Sequence, residues 1–348
     1  MKVCATCVLP ETFPGIRFDA EGVCNHCRSF AGAKETHGAE KARYRRKFLD
    51  VIEQCRREGR RSHDVIMAYS GGKDSSFTLK LLREQFGLNV LAITFNHGFM
   101  SPQALRNIQR VTETLNVDHI MMTPGRDTLR RAFTRTLESD LYPVKSLERA
   151  SSICTTCMNL VKSFVIKTAV EQGVPIIAYG WSPGQAPMAS SVLRLNPSMV
   201  GQMQETLVRT LGAIMEADLA PYLLDQRNGS ERGSGKARPD GGTALYAVHP
   251  LAFIEYREEE IINEIRGLGW EAPQDTDTNS TNCLLNAFAN KVHLARHGFH
   301  PYAFEIAGLV REGCMSREEG MAKLSAAPDA EVIGSVRKKL GLPEDYNF

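Results

Sequence analysis

Residues 70–76 read SGGKDSS and directly follow the apolar run VIMAY at residues 65–69. A buried strand that ends in Ser-Gly-Gly and leads into a helix presents free backbone N–H groups at one point, where the helix dipole adds positive potential. The glycines let the backbone approach a ligand closely, and Lys73 adds a positive charge. The loop also carries hydroxyl groups that can donate to phosphate oxygens, those of Ser70, Ser75 and Ser76. The pattern predicts a phosphate-binding loop; the alternative is a plain turn without a ligand.

The spacing of this loop is not that of a Walker A motif, which requires GxxxxGK[ST]. SGGKDS instead resembles the PP-loop of the ATP pyrophosphatases, also called adenine nucleotide alpha hydrolases. In that superfamily the loop holds the pyrophosphate of ATP while an oxygen of the substrate attacks the α-phosphorus and becomes adenylated. The resemblance implies an ATP site that includes Ser70, Gly71, Gly72, Lys73, Ser75 and Ser76.

The same resemblance extends to later positions. Thr94 and Phe95 end the predicted second strand, where the superfamily usually holds the adenine with backbone groups. Gly180 ends the predicted fourth strand and is expected beside the nucleotide, although Trp181 stands where the superfamily commonly has histidine. Asp74 follows the loop lysine, and we predict that it either coordinates Mg²⁺ or caps the helix N-terminus.

Four cysteines near the N-terminus form two CxxC pairs, separated by a segment whose prolines and glycines suit tight turns. Four thiolates at this separation can close a tetrahedral site around Zn²⁺. A segment this short has too little apolar surface to fold alone, so a metal would stabilise it. We therefore predict a zinc site, with rubredoxin-like iron and free thiols as the alternatives. Its ligands are Cys4, Cys7, Cys24 and Cys27.

A second set of cysteines comprises Cys154 and Cys157 in CTTC and the isolated Cys283 in DTDTNSTNCLLN. The pair stands at the start of the helix before the predicted fourth strand, so it should lie near the edge of the sheet where the nucleotide binds. Three thiolates cannot complete a Cys₄ zinc site, but they can hold three irons of a [4Fe–4S] cluster and leave the fourth open. A redox pair at Cys154 and Cys157 and merely structural thiols are the alternatives.

This second set looks like that of the cluster-dependent tRNA thiolases of the PP-loop superfamily. In those enzymes a CxxC before one strand and a lone cysteine after a later helix bind the cluster. The resemblance covers residues 64 to about 286. It implies that Cys154, Cys157 and Cys283 ligate a [4Fe–4S] cluster that carries sulfur.

Another resemblance rests on three features of the sequence. They are the N-terminal stretch CATCVLPETFPGIRFDAEGVCNHC, the PP-loop that follows it and the SREE segment at residues 316–319. It is similar to the N-acetyl sugar amidotransferases of bacterial surface-polysaccharide pathways. Those proteins adenylate an amide oxygen and then accept ammonia from a separate glutaminase subunit. This chain has no glutaminase region of its own, so amidation would require a partner protein.

Elements that alternate from Asp64 onward must position these groups. The predicted strands are VIMAYS, NVLAITFN, HIMMTP, VPIIAYGW and LYAVHPL, with helical segments between them. Such alternation predicts an α/β fold with a doubly wound, mainly parallel sheet, of the HUP-like kind that the PP-loop resemblance implies. Ligands are then expected at the carboxyl ends of the strands.

The predicted domains follow the composition of the chain. They are a zinc-ribbon-like module at 1–36, a linking basic helix at 37–62, the PP-loop domain at 63–283 and a helical C-terminal extension at 284–348. Residues 225–242 contain almost no apolar residue, and we predict a mobile loop there. Ser316 and Glu319 form the pattern of a capping box.

The composition excludes several classes of protein. With a net charge of +2 over 348 residues, nothing global indicates a nucleic-acid coat or a membrane surface. MKVCATCVLP lacks the apolar region of a signal peptide, and we expect no membrane span of roughly 18 apolar residues. We therefore expect a cytoplasmic protein whose nine cysteines serve metal or redox chemistry more than disulfides.

Together these patterns predict an ATP-dependent sulfurtransferase. It would adenylate a carbonyl or amide oxygen of a tRNA base or a small molecule and replace that oxygen with sulfur, releasing AMP and pyrophosphate. The predicted cofactors are ATP, Mg²⁺, Zn²⁺ and a [4Fe–4S] cluster. The alternatives are an N-acetyl sugar amidotransferase and a non-catalytic nucleotide-binding module. A sulfur donor or glutaminase protein and a homodimer are left open as partners, and no membrane is expected.

Overall fold

The computed structural model describes residues 2–59, 61–224 and 244–346, and within these it leaves the side chains of residues 33–35 undescribed. A six-stranded sheet lies at its centre. In chain order its strands are β1 Val65–Ala68, β2 Val90–Phe95, β3 Asp118–Met122, β4 Ile176–Tyr179, β5 Val192–Leu195 and β6 Leu245–Val248. Their spatial order is β3-β2-β1-β4-β6-β5, and every pairing is parallel except that of β5 with β6.

Helices connect and cover these strands. They are α1 Asn25–Arg57, α2 Lys73–Lys80, α3 Pro102–Thr114, α4 Arg126–Glu138, α5 Val144–Leu147, α6 Ser152–Gln172, α7 Pro197–Met215, α8 Glu258–Arg266, α9 Leu285–His297, α10 Ala303–Arg311, α11 Arg317–Ser325 and α12 Ala330–Leu340. A π-helical turn at Leu81–Gln85 extends α2.

Successive side chains of a strand point to opposite faces of the sheet, and in the central strands β1, β2 and β4 both faces are buried. Val65 and Met67 of β1 pack into the cluster that contains Phe48 of α1 and Leu79 of α2. Ile66 points to the opposite face, where it joins a cluster with side chains of β2, β4 and α6. Helices on both faces of a mainly parallel sheet are the predicted doubly wound α/β architecture, which is confirmed.

The N-terminal helix α1 begins earlier than predicted. Cys24 is its N-cap and accepts a hydrogen bond from the backbone N–H of Cys27, so the helix starts inside the second cysteine pair. Its apolar side chains, including Phe48 and Ile52, are buried against the sheet. One continuous helix therefore connects the cysteine-rich segment with the core.

The C-terminal region is helical, as predicted. Ile333 and Leu340 of α12 pack in a cluster with Phe133 of α4 and Phe288 of α9. The capping box at the start of α11 is also confirmed, because Ser316 and Glu319 exchange side-chain and backbone hydrogen bonds. The helices α10 and α11 instead pack against the N-terminal cysteines.

The strand β5 and the helices α5 and α7 were not predicted from the sequence. The edge strand β5 is short, and the helix α7 follows it directly, with Pro197 at its first turn and Asn196 as its N-cap. The predicted mobile loop at 225–242 lies outside the described residues. By length and composition Ser152–Gln172 could cross a membrane, but core helices pass the same test, and α6 packs between the sheet and other helices.

Candidate active site

The segment after β1 forms a tight loop that leads into α2. Gly72 is the N-cap of α2, and Gly71 adopts a left-handed backbone with φ of +72°. A Cβ atom at Gly71 would lie 2.5 Å from the carbonyl oxygen of Ala104, so only glycine fits there. This turn directs the first amides of α2 to the carboxyl edge of the sheet, which is the geometry that binds anions.

A cavity of about 280 Å³ opens at this edge. From the loop, Ser70, Gly72, Lys73, Asp74 and Ser75 line it. Gly71 and Ser76 do not belong to this lining: the carbonyl oxygen of Gly71 accepts from Trp270 Nε1 at 3.0 Å, and the buried hydroxyl of Ser76 is 3.1 Å from that of Tyr69.

Lys73 carries the positive charge of the cavity. Its Nζ donates to both carboxylate oxygens of Asp74, at 2.9 and 3.0 Å, and to the hydroxyl of Tyr256 at 2.8 Å. Burial opposes the charge on Lys73, but Asp74, Tyr256 and Glu258 outweigh burial and raise the pKa of Lys73 well above its usual value. The ammonium group is therefore charged, and its hydrogen bonds go to Asp74 and Tyr256. Magnesium coordination by Asp74 stays a prediction.

A polar segment before α9 covers the loop, and this was not predicted. The backbone N–H of Lys73 donates to Thr281 Oγ1 at 2.9 Å. A Cβ atom at Gly72 would lie 3.0 Å from the same hydroxyl oxygen. The only sequence signal was the run DTDTNSTN before Cys283, which is rich in groups that bond backbone amides.

Gly180 follows β4 and touches the start of α2. A Cβ atom there would lie 2.5 Å from the Cα of Ser75 and 2.8 Å from its backbone nitrogen. Trp181 lines the cavity, stacks on His249 with ring centroids 4.3 Å apart, and lies under Lys162 Nζ at 4.6 Å. The structure thus places Gly180 against the loop, and its contact with a nucleotide remains a prediction.

Thr94 and Phe95 end β2 and are buried. The hydroxyl of Thr94 donates to the carbonyl oxygen of Tyr69 at 2.7 Å and lies 2.8 Å from His119 Nε2. Neither Thr94 nor Phe95 is part of the cavity lining. Their contact with adenine remains a prediction.

The second cysteine set lies beside the cavity. Cys154 and Cys157 occupy the first two turns of α6, whose N-cap Ser151 accepts from the backbone N–H of Cys154 at 3.2 Å. Cys283 precedes α9 and is next to Asn282, which lines the cavity. Asn286 connects the two regions: its Nδ2 lies 3.8 Å from Cys154 Sγ and 3.0 Å from the hydroxyl of Tyr302.

The three thiols interact electrostatically. Burial, followed by the charges of Cys283 and Cys154, raises the pKa of Cys157 well above its usual value. Burial and then Cys154 raise the pKa of Cys283 to about 12. Cys154 contributes to the raised pKa of both other thiols, whereas burial raises its own pKa. Ligation of a cluster by this set remains a prediction. Cys314 is not among them. Burial, followed by the charge of Glu312, raises the pKa of its thiol, and Lys41 opposes this rise.

The N-terminal cysteines converge on one point. All four Sγ atoms lie within 4.8 Å of one another and are buried, and the distances Cys4–Cys27 and Cys7–Cys24 are both 3.8 Å. Tetrahedral Zn²⁺ with Zn–S bonds of about 2.3 Å requires S···S separations of about 3.8 Å. Hydrogen bonds to Cys24 and Cys27, followed by burial, raise the pKa of Cys7 well above its usual value. This donor set fits a single metal ion.

Residues from the C-terminal helices complete both regions. Arg317 of α11 donates to the carbonyl oxygens of Cys4 and Cys7, at 3.1 to 3.2 Å, and Arg311 Nη1 lies 3.8 Å from Cys7 Sγ. From α10, Glu305 reaches the cavity together with the preceding Tyr302. Sequence reasoning did not find Glu305, because nothing in the apolar segment FEIAG indicates a site.

Comparisons with known proteins give distant relatives. No protein-family model matches the chain. An uncharacterised protein of Methanocaldococcus jannaschii is 26% identical over 340 residues, which cover 97% of this chain and 99% of that protein. An argininosuccinate synthase of Bartonella bacilliformis is 27% identical over 118 residues, which cover 33% of this chain and 28% of that enzyme.

The solved structures that the comparison matches to this chain include two enzymes. A U34-tRNA thiolase from Methanococcus maripaludis, solved with its [4Fe–4S] cluster, has 17% identity and a TM-score of 0.34, with 99% of each chain covered. An NMN synthetase from Francisella tularensis has 12% identity and a TM-score of 0.35, with 88% of this chain and 99% of that chain covered.

The geometry of the loop after β1 and the mainly parallel sheet agree with the phosphate-binding loop and the α/β fold predicted from the sequence. The chain resembles PP-loop ATP pyrophosphatases in its SGGKDS segment. A four-cysteine group that could hold a metal ion accompanies that fold.

Proposed function

We propose that this protein is an ATP-dependent sulfurtransferase that acts through an adenylated acceptor. The observation that carries the proposal is the contact chain from Cys154 through Asn286 to Tyr302, because it connects the second cysteine set with the cavity of the PP-loop. A thiolate set at the nucleotide site favours sulfur as the incoming atom.

In the first step the backbone amides at the start of α2 and the ammonium of Lys73 bind the phosphates of ATP. An oxygen of the acceptor attacks the α-phosphorus; the new O–P bond forms as the bond to pyrophosphate breaks. Lys73 stabilises the negative charge that develops on the leaving pyrophosphate. Mg²⁺ would add to that stabilisation.

In the second step sulfide, as the sulfur nucleophile, attacks the activated carbon. The carbon–oxygen bond breaks and AMP leaves with the oxygen. Cys154, Cys157 and Cys283 would hold a [4Fe–4S] cluster, which when bound offers an iron without a protein ligand for sulfide. The side chains of Asn286 and Tyr302 bond each other and lie between this set of cysteines and the cavity.

At the N-terminus, Cys4, Cys7, Cys24 and Cys27 would hold Zn²⁺. The buried donors and their spacing support this assignment. A zinc site without an open position is structural, and here it would fix the start of α1 against α10 and α11.

The experiment is an anaerobic purification followed by metal analysis and product analysis. We expect a brown protein with about four irons per chain in addition to zinc, and release of AMP and pyrophosphate that depends on acceptor and sulfide. Cys154→Ser, Cys157→Ser and Cys283→Ser should each lose the iron and keep the zinc. The matched control is Cys314→Ser, which should keep both metals. A colourless protein that contains zinc alone would contradict the proposal.

A second candidate, amidation of an N-acetyl sugar, is favoured by one contact. Arg317, from the SREE segment, bonds the carbonyl oxygens of Cys4 and Cys7, so the two sequence segments that carry the amidotransferase resemblance touch each other. This candidate predicts AMP release that depends on ammonia and a sugar acceptor. Turnover with sulfide but not with ammonia would exclude it. A purely nucleotide-binding module would release no AMP, with or without Lys73.

A further inference from the structure

We propose that Glu305 is a catalytic base of the adenylation step and that the acceptor carries an N–H group next to the carbonyl carbon whose oxygen is adenylated, as in an amide or a lactam. The inference rests on the proposed function and names its substrate class. It applies to a nucleobase and to an N-acetyl sugar alike, because both contain this N–C=O group.

The position of Glu305 in the cavity is fixed by close packing. Gly184, in the loop after β4, has φ of +89°, and a Cβ atom there would lie 2.9 Å from the carbonyl oxygen of Glu305. A Cβ atom at Gly308, one turn further along α10, would lie 3.2 Å from the Cα of Gly184. The two backbones therefore touch, and Glu305 lines the same cavity as Lys73.

The carboxyl group is held in one orientation by this loop. Ser182 Oγ donates a short hydrogen bond to Glu305 Oε1, and the side chain of Gln185 also bonds it. Arg149 holds the loop in turn, because its Nη1 donates to the carbonyl oxygens of Gly184 and Gln185 at 2.8 and 3.2 Å.

Glu305 differs from the other carboxylates that line the cavity. Asp74 forms an ion pair with Lys73 at 2.9 Å, and Glu258 forms one with Lys323 at 3.2 Å. For Glu305 no ion pair exists among the residues that the structure describes. A carboxylate that is not neutralised by a lysine or arginine can accept a proton more readily than one that is.

The electrostatic surroundings suit proton transfer near neutral pH. Burial raises the pKa of Glu305 to about 7; Ser182 and Gln185 oppose this by hydrogen bonding, Asp74 adds to it and Lys73 opposes it. Arg149 and Tyr302 are the other ionisable groups that interact with Glu305. A general base is most effective when its pKa lies near the working pH.

The step balances as follows. The carbonyl oxygen of the acceptor attacks the α-phosphorus, the O–P bond forms, and the bond between this phosphorus and the bridging oxygen breaks, so pyrophosphate leaves with that electron pair. The adjacent nitrogen loses its proton to the carboxylate of Glu305, and its electron pair forms a C=N bond. The product is a neutral imidate ester of AMP, which the nucleophile then attacks at carbon. No oxidant or reductant is required.

The test measures acceptor-stimulated exchange of labelled pyrophosphate into ATP, which reports adenylation without the second step. The probes are unmodified tRNA, uridine and N-acetylglucosamine, each with Mg²⁺. We expect Glu305→Gln to lower the exchange rate about 10²- to 10⁴-fold with less than a twofold change in the dissociation constant of ATP. In the wild type the exchange rate should rise as the pH rises through about 7, because Glu305 then loses its proton. The residual activity of Glu305→Gln should not show this rise. Glu312→Gln, at the end of α10 and outside the cavity, is the matched control and should keep the wild-type exchange rate.

The outcomes separate the two proposals. An exchange rate that is the same in the wild type and in Glu305→Gln overturns the role of Glu305 alone. Loss of ATP binding in this variant would make Glu305 a nucleotide or metal ligand instead. Exchange without thiolated product in the presence of sulfide contradicts the sulfurtransferase and leaves Glu305 standing. No stimulation by any of the N–H probes overturns the amide assignment.

A measurement of stability tests the buried carboxyl group independently of activity. Because its folded pKa is raised above the unfolded value, Glu305 contributes stability at low pH that is lost as the pH rises through about 7. Glu305→Gln should therefore raise the melting temperature at pH 8 more than at pH 5. An equal effect at both pH values would contradict the proposed environment.

Discussion

Thr281 Oγ1 accepts a hydrogen bond from the backbone N–H of Lys73 at 2.9 Å, so a residue 208 positions away caps the loop that resembles a PP-loop. That amide is one of the donors a phosphate would use. Under the proposed function, the segment before α9 would compete with ATP for this amide, and Thr281 would have to move when ATP binds.

Thr281→Val removes this acceptor while keeping the shape of the side chain. Because a hydrogen bond of this kind is worth about 1 kcal/mol, we expect ATP to bind up to about fivefold more tightly. Isothermal titration with ATP and Mg²⁺ measures the change. Thr281→Ser keeps the hydroxyl and should bind ATP like the wild type. Weaker binding in Thr281→Val would instead make Thr281 a direct contact of the nucleotide.

Gly180→Ala should disrupt the loop. Its Cβ atom would lie 2.5 Å from the Cα of Ser75, and backbone cannot move aside cheaply. We expect a loss of about 1–3 kcal/mol in the free energy of unfolding, together with weaker ATP binding. The control is Gly201→Ala in α7, where a Cβ atom would meet nothing within 4 Å. This substitution should stabilise the helix by up to about 1 kcal/mol, because alanine has a higher helix propensity than glycine. Urea unfolding compares the two variants; equal stabilities would show that the contact is not rigid.

Removal of the zinc that we propose at the N-terminus should loosen that end of the protein. A strong chelator, or Cys24→Ser, leaves buried thiols without a cation, and the packing of α10 against them weakens. We expect a lower melting temperature and faster amide exchange in residues 2–27. Cys314→Ser serves as the control that keeps the metal. An unchanged melting temperature after verified loss of zinc would show that the segment is held by apolar packing alone.

The stability of the protein should fall below neutral pH. Burial, followed by the charges of His297 and His300, lowers the pKa of His293 to about 3, whereas unfolded histidine titrates near 6.5. As the pH falls below 6.5 the unfolded state binds a proton that the folded state excludes, so the free energy of unfolding decreases. We expect His293→Phe to remove about 2 kcal/mol of the loss between pH 7.5 and 5.

Urea unfolding at the two pH values measures this effect. Phe299→Leu removes the ring that packs on His293 at 4.9 Å but keeps the imidazole, so it should lower stability at both pH values to a similar extent. A pH dependence of His293→Phe equal to that of the wild type would show that other histidines cause the loss.

The loop, the parallel strands and the four-cysteine group were predictable because each is encoded within a few neighbouring residues. Ser-Gly-Gly after an apolar strand has few other uses, and two CxxC pairs carry their own geometry. The edge strand β5 was not predictable, since VLRL is too short to show a period and pairs with β6 only after the chain has passed through α7 and further residues. Tertiary context, rather than local propensity, forms it.

The remaining members of the site are set by contacts between distant parts of the chain. Tyr256 and Thr281 reach Lys73 across 183 and 208 positions, and no local pattern distinguishes them from other polar residues. In the sequence, Glu305 is only a polar residue in an otherwise apolar helix. Its place in the site depends on the loop after β4, which packs against it at Gly184. Such residues become visible only when the fold is known.

The contact of Arg317 with Cys4 bears on the order of assembly. The two residues are separated by 313 positions, and side chains of α10 and α11 join those of the N-terminal segment in burying the thiols of Cys4 and Cys7. During synthesis on the ribosome the packing by α10 and α11 is absent until almost the whole chain has emerged. Until then the cysteines would be accessible to oxidants and competing metals. Closing this long loop is also entropically slow. Protection of the N-terminal thiols should thus be a late event of folding, and a nascent chain stalled before α10 should still react with thiol reagents there.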